Sequence, residues 1–84
     1  MPRYYFDVYD GERSLADEDG MELDDVDASK VEVRQVLADF ARDVMRKGSH
    51  QSFAVNVRDE AGQIVLRGIL SLVIEELTLD VPRI

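Results

Sequence analysis

The chain has 84 residues, no cysteine and a formal net charge of −8, from 10 basic and 18 acidic residues. That length is one domain, residues 1–84, with a modest core. The missing cysteines exclude disulfides, a thiol nucleophile and cysteine-ligated zinc or iron–sulfur centres, and they favour a reducing, cytoplasmic compartment. The acidic excess works against nucleic-acid binding, which is driven by Lys and Arg displacing counterions from phosphate.

The opening Met1-Pro2-Arg3-Tyr4-Tyr5-Phe6-Asp7 has no basic head before a long apolar run and is not expected to be a signal peptide. Aromatic and β-branched residues from Tyr4 to Tyr9 predict a strand, with Tyr4, Phe6 and Val8 on one face and Tyr5, Asp7 and Tyr9 on the other. Asp10-Gly11 signals a turn. Arg13 to Ala16 is a second short strand, with Leu15 expected to point inward. Asp17-Glu18-Asp19-Gly20 is a second turn, in which Gly20 can take a positive φ. Met21 to Leu23 is a short extended piece leading to a helix.

Asp24 or Asp25 caps that helix, and Asp27 adds negative charge where the helix dipole favours it. Val26, Val33, Val36, Leu37, Phe40, Ala41, Val44 and Met45 define its apolar stripe. Gly48 is suited to end it. Ser49 to Ser52 reads as a polar connection. Phe53 to Arg58 then alternates, with Phe53, Val55 and Val57 inward, and Asp59 to Gly62 signals a hairpin before a return strand, Gln63 to Arg67. The expected fold is α+β: one antiparallel sheet of about four strands with one long helix packed on one face, in ββαββ order.

Past Gly68 the alternation lapses. Ile69-Leu70-Ser71-Leu72-Val73-Ile74 is apolar at all but one position, and Leu77, Leu79 and Val81 follow. This run is too short to span a membrane. Residues 69–81 read as an apolar strand, as a short helix capped by Ser71, or as a loose tail that meets a different protein; Ile and Val content favours the strand. The candidate interface is Ile69, Leu70, Leu72, Val73, Ile74 and Leu77. Burying four large aliphatic side chains per subunit would contribute about 6–12 kcal/mol, comparable to a small domain's net stability. The expectation is a homodimer formed through this strand and the uncovered sheet face.

No catalytic set and no cofactor site is evident. Residues 1–27 hold ten acids against two bases, and carboxylates suit Ca²⁺ or Mg²⁺. Asp17, Asp19 and Glu22 are therefore weak metal candidates, but they give only a fragment of a calcium loop, and a solvated turn leading to a helix N-terminus is the favoured explanation. His50, the one histidine, has no evident nucleophile or carboxylate partner. Tyr5 and Tyr9 could stack on a ligand, although Asp7 stands between them. The acidic first third also allows a second kind of partner, a basic protein steered by charge.

The opening Met1-Pro2-Arg3-Tyr4-Tyr5-Phe6, then Asp10-Gly11, then Asp17-Glu18-x-Gly20-x-Glu22-Leu23 before the helix, and Val57-x-Asp59-x-x-Gly62-x-x-Val65-Leu66 after it, resemble small bacterial proteins catalogued as domain of unknown function 6894. The resemblance covers residues 1–67 and implies a bacterial cytosolic protein. It implies no activity and no functional residues, and it leaves Arg3 as a structural partner for the acidic turn. The order of elements in the first half also resembles antitoxins of the HicB type, though no separate DNA-binding segment is evident.

Overall fold

Alternating apolar residues build a sheet with one buried face, and a helical stripe of matching width covers part of it. The computed structural model describes residues 1–44 and 50–78. Its elements are β1 (Arg3–Tyr9), β2 (Ser14–Leu15), β3 (Met21–Glu22), α1 (Val26–Val44), β4 (His50–Arg58) and β5 (Ile64–Val73). The sheet is antiparallel with order β2-β1-β4-β5, and β3 also pairs with β1. The α+β architecture with one helix on an antiparallel sheet is the expected one, with five strands rather than about four.

The extra strand has a simple origin. Val8 pairs with Leu15 and Tyr4 with Met21, so four steps along β1 face six along the returning chain. β2 and β3 are thus the two ends of one return strand, interrupted by the loop Ala16–Gly20. The Asp17 carboxylate fills the gap in the ladder by accepting the Phe6 N–H at 3.1 Å.

On the helix side, Tyr4, Val33, Val55 and Val57 form the buried core, with Phe6, Val8, Leu23, Val26, Val36, Leu37 and Leu66 packed around them. Val55 and Val57 are 0% exposed, and full burial of each contributes roughly 1.5–3 kcal/mol. Phe40 stacks on Phe53 with ring centroids 4.9 Å apart. Asp25 is the helix cap: its Oδ1 accepts the Ala28 N–H at 3.0 Å. Ser29, absent from the apolar stripe read in the sequence, is fully buried; its hydroxyl donates to the Val26 carbonyl, so a small polar residue sits in the interface at no hydrogen-bonding cost.

Three expectations are corrected. His50 to Ser52 belongs to β4 and is not a connection, because it pairs with Ser71 to Val73 of β5. Gly68 does not end a strand: β5 runs through it from Ile64 to Val73 as one element. The short helix from Leu72 does not form; Leu72 and Val73 lie in β5, and residues 74–78 have no regular structure. Gly68 is glycine because the helix lies directly on it. An added Cβ would come within 3.0 Å of Val33 Cγ1 and stand 3.1 Å from Leu37 Cδ1. Met45, Gly48, Leu79 and Val81 lie outside the described residues.

The hairpin between β4 and β5 is the expected turn with a bulge. Gly62 has φ +85°, the register shifts at Val57/Arg58, and Asp59 Oδ1 accepts the N–H groups of Ala61 and Gln63, each at 2.9 Å.

Candidate functional site

Across the face that the helix does not cover, β1, β4 and β5 place side chains in rows. Tyr5 pairs with Arg58; Asp7 lies beside Asn56 and Arg67; Tyr9 lies beside Ala54 and Ile69; Ser52 lies beside Ser71. The first two rows are polar and closed among themselves. Arg58 donates from Nε and Nη2 to the two oxygens of Asp7 and from Nη2 to the Asp17 carbonyl at 3.1 Å. Its guanidinium carbon lies 4.8 Å from the centre of the Tyr5 ring. Arg67 Nε donates to Asn56 Oδ1 at 2.6 Å, and the Ser52 and Ser71 hydroxyls are 3.1 Å apart.

The acidic turn is tied into this network. Asp17 Oδ1 accepts the N–H groups of Asp19 and Gly20, its Oδ2 that of Phe6, and its own N–H donates to Asp7. Arg3 donates to the Asp19 carbonyl at 2.8 Å and pairs with Glu22 at 3.2 Å, the structural partnership the sequence suggested. Gly20 closes the turn with φ +71°; a Cβ there would meet Arg3, Tyr5 and the Tyr4 carbonyl at 2.9–3.0 Å.

Electrostatics follow from these contacts. The Arg58 hydrogen bond, aided by the Asp17 N–H, holds the Asp7 carboxyl below its ordinary value against the opposing effect of burial. Burial pushes Asp17 up, but its three N–H donors together outweigh burial and the nearby Asp7 charge and hold it low. Arg58 is raised by its bond to Asp7. These carboxylates stay ionised near neutrality and accept hydrogen bonds already satisfied within the fold. Such groups brace a loop; they are not poised to move a proton.

The structure engages two of the three metal candidates, Asp17 and Glu22, in other contacts, while the Asp19 carboxylate stays exposed. Both Asp17 oxygens face N–H donors, Glu22 faces Arg3, and no group of three His, Asp or Glu among the described residues is arranged to hold a metal ion. Of the interface candidates, Leu70 and Leu72 face the helix and are half-buried. Ile69 and Val73 lie on the opposite face, Ile69 being 65% exposed, and Ile74 and Leu77 follow in the exposed segment after β5. Asp7, Arg58 and Tyr5 were not singled out as a group from the sequence. The one available signal was a lone acid between two outward tyrosines, which needs a cation across the sheet.

A small antiparallel sheet with one helix on one face, an acidic loop braced by arginines and an apolar strand at one edge defines the class. Residues 3–71 match the family described as Domain of unknown function (DUF6894), and the chain belongs to that family. No curated protein and no solved structure matches. Among the described residues, no helix is long and apolar enough to cross a membrane.

Proposed function

We propose that this protein is a non-enzymatic interaction module of the bacterial cytoplasm that self-associates as a homodimer through its C-terminal strand. One observation carries the reading: β5 is a ten-residue strand at the end of the sheet order, paired on one side by β4 and by no described strand on the other. Proteins usually protect such an edge with charge, proline or a bulge. β5 carries a bulge at its hairpin end, where the register shifts opposite Val57/Arg58; from Leu66 to Val73 the only charge is Arg67 and there is no proline.

The flank of this edge is apolar at one end. Tyr9, Ala54 and Ile69 form a row across β1, β4 and β5; beyond the Ser52–Ser71 row Val73 lies on the same face, and Val73 and Ile74 are both more than half exposed. A two-fold pairing of β5 with its copy would continue the sheet and bring two such strips together. The acidic loop lies at the far edge, beside β1, so the strongest like charges would stay apart. Neither nucleic acid nor a membrane is a partner in this reading, in keeping with the net charge of −8.

Sedimentation equilibrium tests it. Up to roughly 100 μM, well above a micromolar Kd, the wild-type chain should run at the mass of two chains. Ile69→Lys with Val73→Lys should run at the mass of one and retain its circular-dichroism spectrum. A wild-type protein that is monomeric throughout that range refutes the reading.

A further inference from the structure

α1 lies over β4 and β5 and only flanks β1. The helix-side surface at the far corner of the sheet, where β1 meets β2, is left open. Leu15 faces that side, as Val8 opposite it does, yet it is 73% exposed. The inward position expected for it is real, but the helix does not reach it. The corner is a groove of about 470 Å³, floored by Phe6 and Val8, walled by Leu15 and rimmed by Asp17, Glu18 and Asp19. Among the described residues, no basic side chain lines it.

The rim is built, not incidental. Asp17 binds three backbone N–H groups, while Arg3 and Arg58 grip the carbonyls of Asp19 and Asp17. The two arginines at the loop are committed to its backbone, to Glu22 and to Asp7. The loop is held fast while the Glu18 and Asp19 side chains stay exposed beside an apolar floor. An anchored rim lowers the ordering cost of a contact, and a negative rim around an apolar floor selects its complement.

We propose that this groove docks a short basic segment of a partner protein, with one apolar side chain seated on Phe6, Val8 and Leu15 and Lys or Arg against Glu18 and Asp19. The groove lies at the opposite edge of the sheet from β5, so docking here is independent of self-association.

The probe is a fluorescein-labelled peptide of alternating lysine and leucine, with a glutamate–leucine peptide as control, read by fluorescence anisotropy and by amide chemical-shift mapping of the intact protein. The lysine peptide should bind, the glutamate peptide should not, and the shifts should centre on Phe6, Val8, Leu15 and Asp19. Leu15→Glu separates this site from general attraction to an acidic protein. It makes the chain more negative, yet it should weaken binding by about tenfold or more, since the apolar contact is lost. Glu18→Lys with Asp19→Lys, both at exposed positions, should weaken it by a similar factor and gives an independent check should Leu15→Glu disturb the fold. Unchanged or tighter binding to Leu15→Glu, shifts spread over the acidic surface or centred on β5, or no binding of the lysine peptide would each overturn the proposal.

Discussion

Gly68→Ala should destabilise this protein although it lies in a strand, where alanine normally does better than glycine. Gly68 does not have a positive φ, so an alanine meets no backbone penalty, and the lost freedom of the unfolded chain should stabilise by about 0.4–1 kcal/mol. Against this stands the helix. The new methyl would lie inside 3.0 Å of Val33 Cγ1 and 3.1 Å from Leu37 Cδ1, where carbon atoms rest at about 3.5–4.0 Å. Val33 is buried and β-branched, and in a helix its χ1 has essentially one setting. It cannot swing away, so the helix must lift. Overpacking costs about 1–3 kcal/mol, and an approach this close belongs to the upper part of that range, about 2–3 kcal/mol, which leaves a net loss of roughly 1–2.5 kcal/mol, or several degrees in Tm for a domain of this size.

A double-mutant cycle in urea tests the cause. Val33→Ala alone leaves a cavity over the strand and should cost about 1–2.5 kcal/mol by lost burial. In the double variant the Gly68→Ala methyl occupies part of that cavity, so the pair should be less damaging than the sum by about 1 kcal/mol or more. A Gly68→Ala protein as stable as wild type, or a cycle with no coupling, would show that the helix does not rest on Gly68.

Other consequences follow from the braced loop. Arg58→Ala leaves Asp7 half-buried without its charged donor and should cost about 1.5–3 kcal/mol by chemical denaturation; Asp7→Asn with Arg58→Ala should cost less than the sum. Gly20→Ala and Gly62→Ala both force alanine to positive φ, at about 1–2 kcal/mol, but only Gly20 is crowded, with nothing within 4 Å of a Cβ at Gly62. Gly20→Ala should therefore be the worse of the two in thermal melts. Because Asp7 and Asp17 are held below the ordinary carboxyl value of 3.8, the unfolded chain takes up protons first on acidification. Their contribution is complete above that value and lost as pH falls through their folded values. The urea midpoint should drop below about pH 4.5, and Asp7→Asn should make that drop shallower.

The strands, the helix and a cap at Asp24 or Asp25 were legible because each rests on local chemistry: alternation from Tyr4 to Val8 and from Phe53 to Val57, helical spacing from Val26 to Phe40, and glycines at 11, 20 and 62, all of which take positive φ. What stayed hidden depended on contacts between distant segments. Gly68 carries the same letter as the turn glycines, yet its reason is Val33, which lies on another element. Without that contact, β5 looked like two pieces with apolar side chains on both faces. With it, Leu66, Gly68, Leu70 and Leu72 form one helix-facing row of a single strand. His50 to Ser52 looked like a polar connection because its partner, Ser71 to Val73, is on the other arm of the hairpin. The acidic run was legible as a turn, but its attachment to Arg3 and Arg58 needed the fold.

The sheet separates its charges, and that separation gives the two proposed contacts opposite responses to salt. The acidic loop lies at the β2/β3 edge, whereas β5 carries a single arginine. Pairing of β5 with a copy is apolar and backbone-driven, while the two chains, each at −8, repel at long range. Raising salt shortens the screening length from about 10 Å at 0.1 M to about 3 Å at 1 M, which removes the repulsion and leaves the apolar contact. A basic segment at the acidic groove loses its attraction under the same change. Self-association should therefore hold or tighten between 0.1 M and 1 M salt, as the lysine–leucine peptide dissociates. A dimer that dissolves in salt would mean that the copies meet through charge, with the acidic edge of one chain set against a basic surface of the other, and β5 would not be the interface.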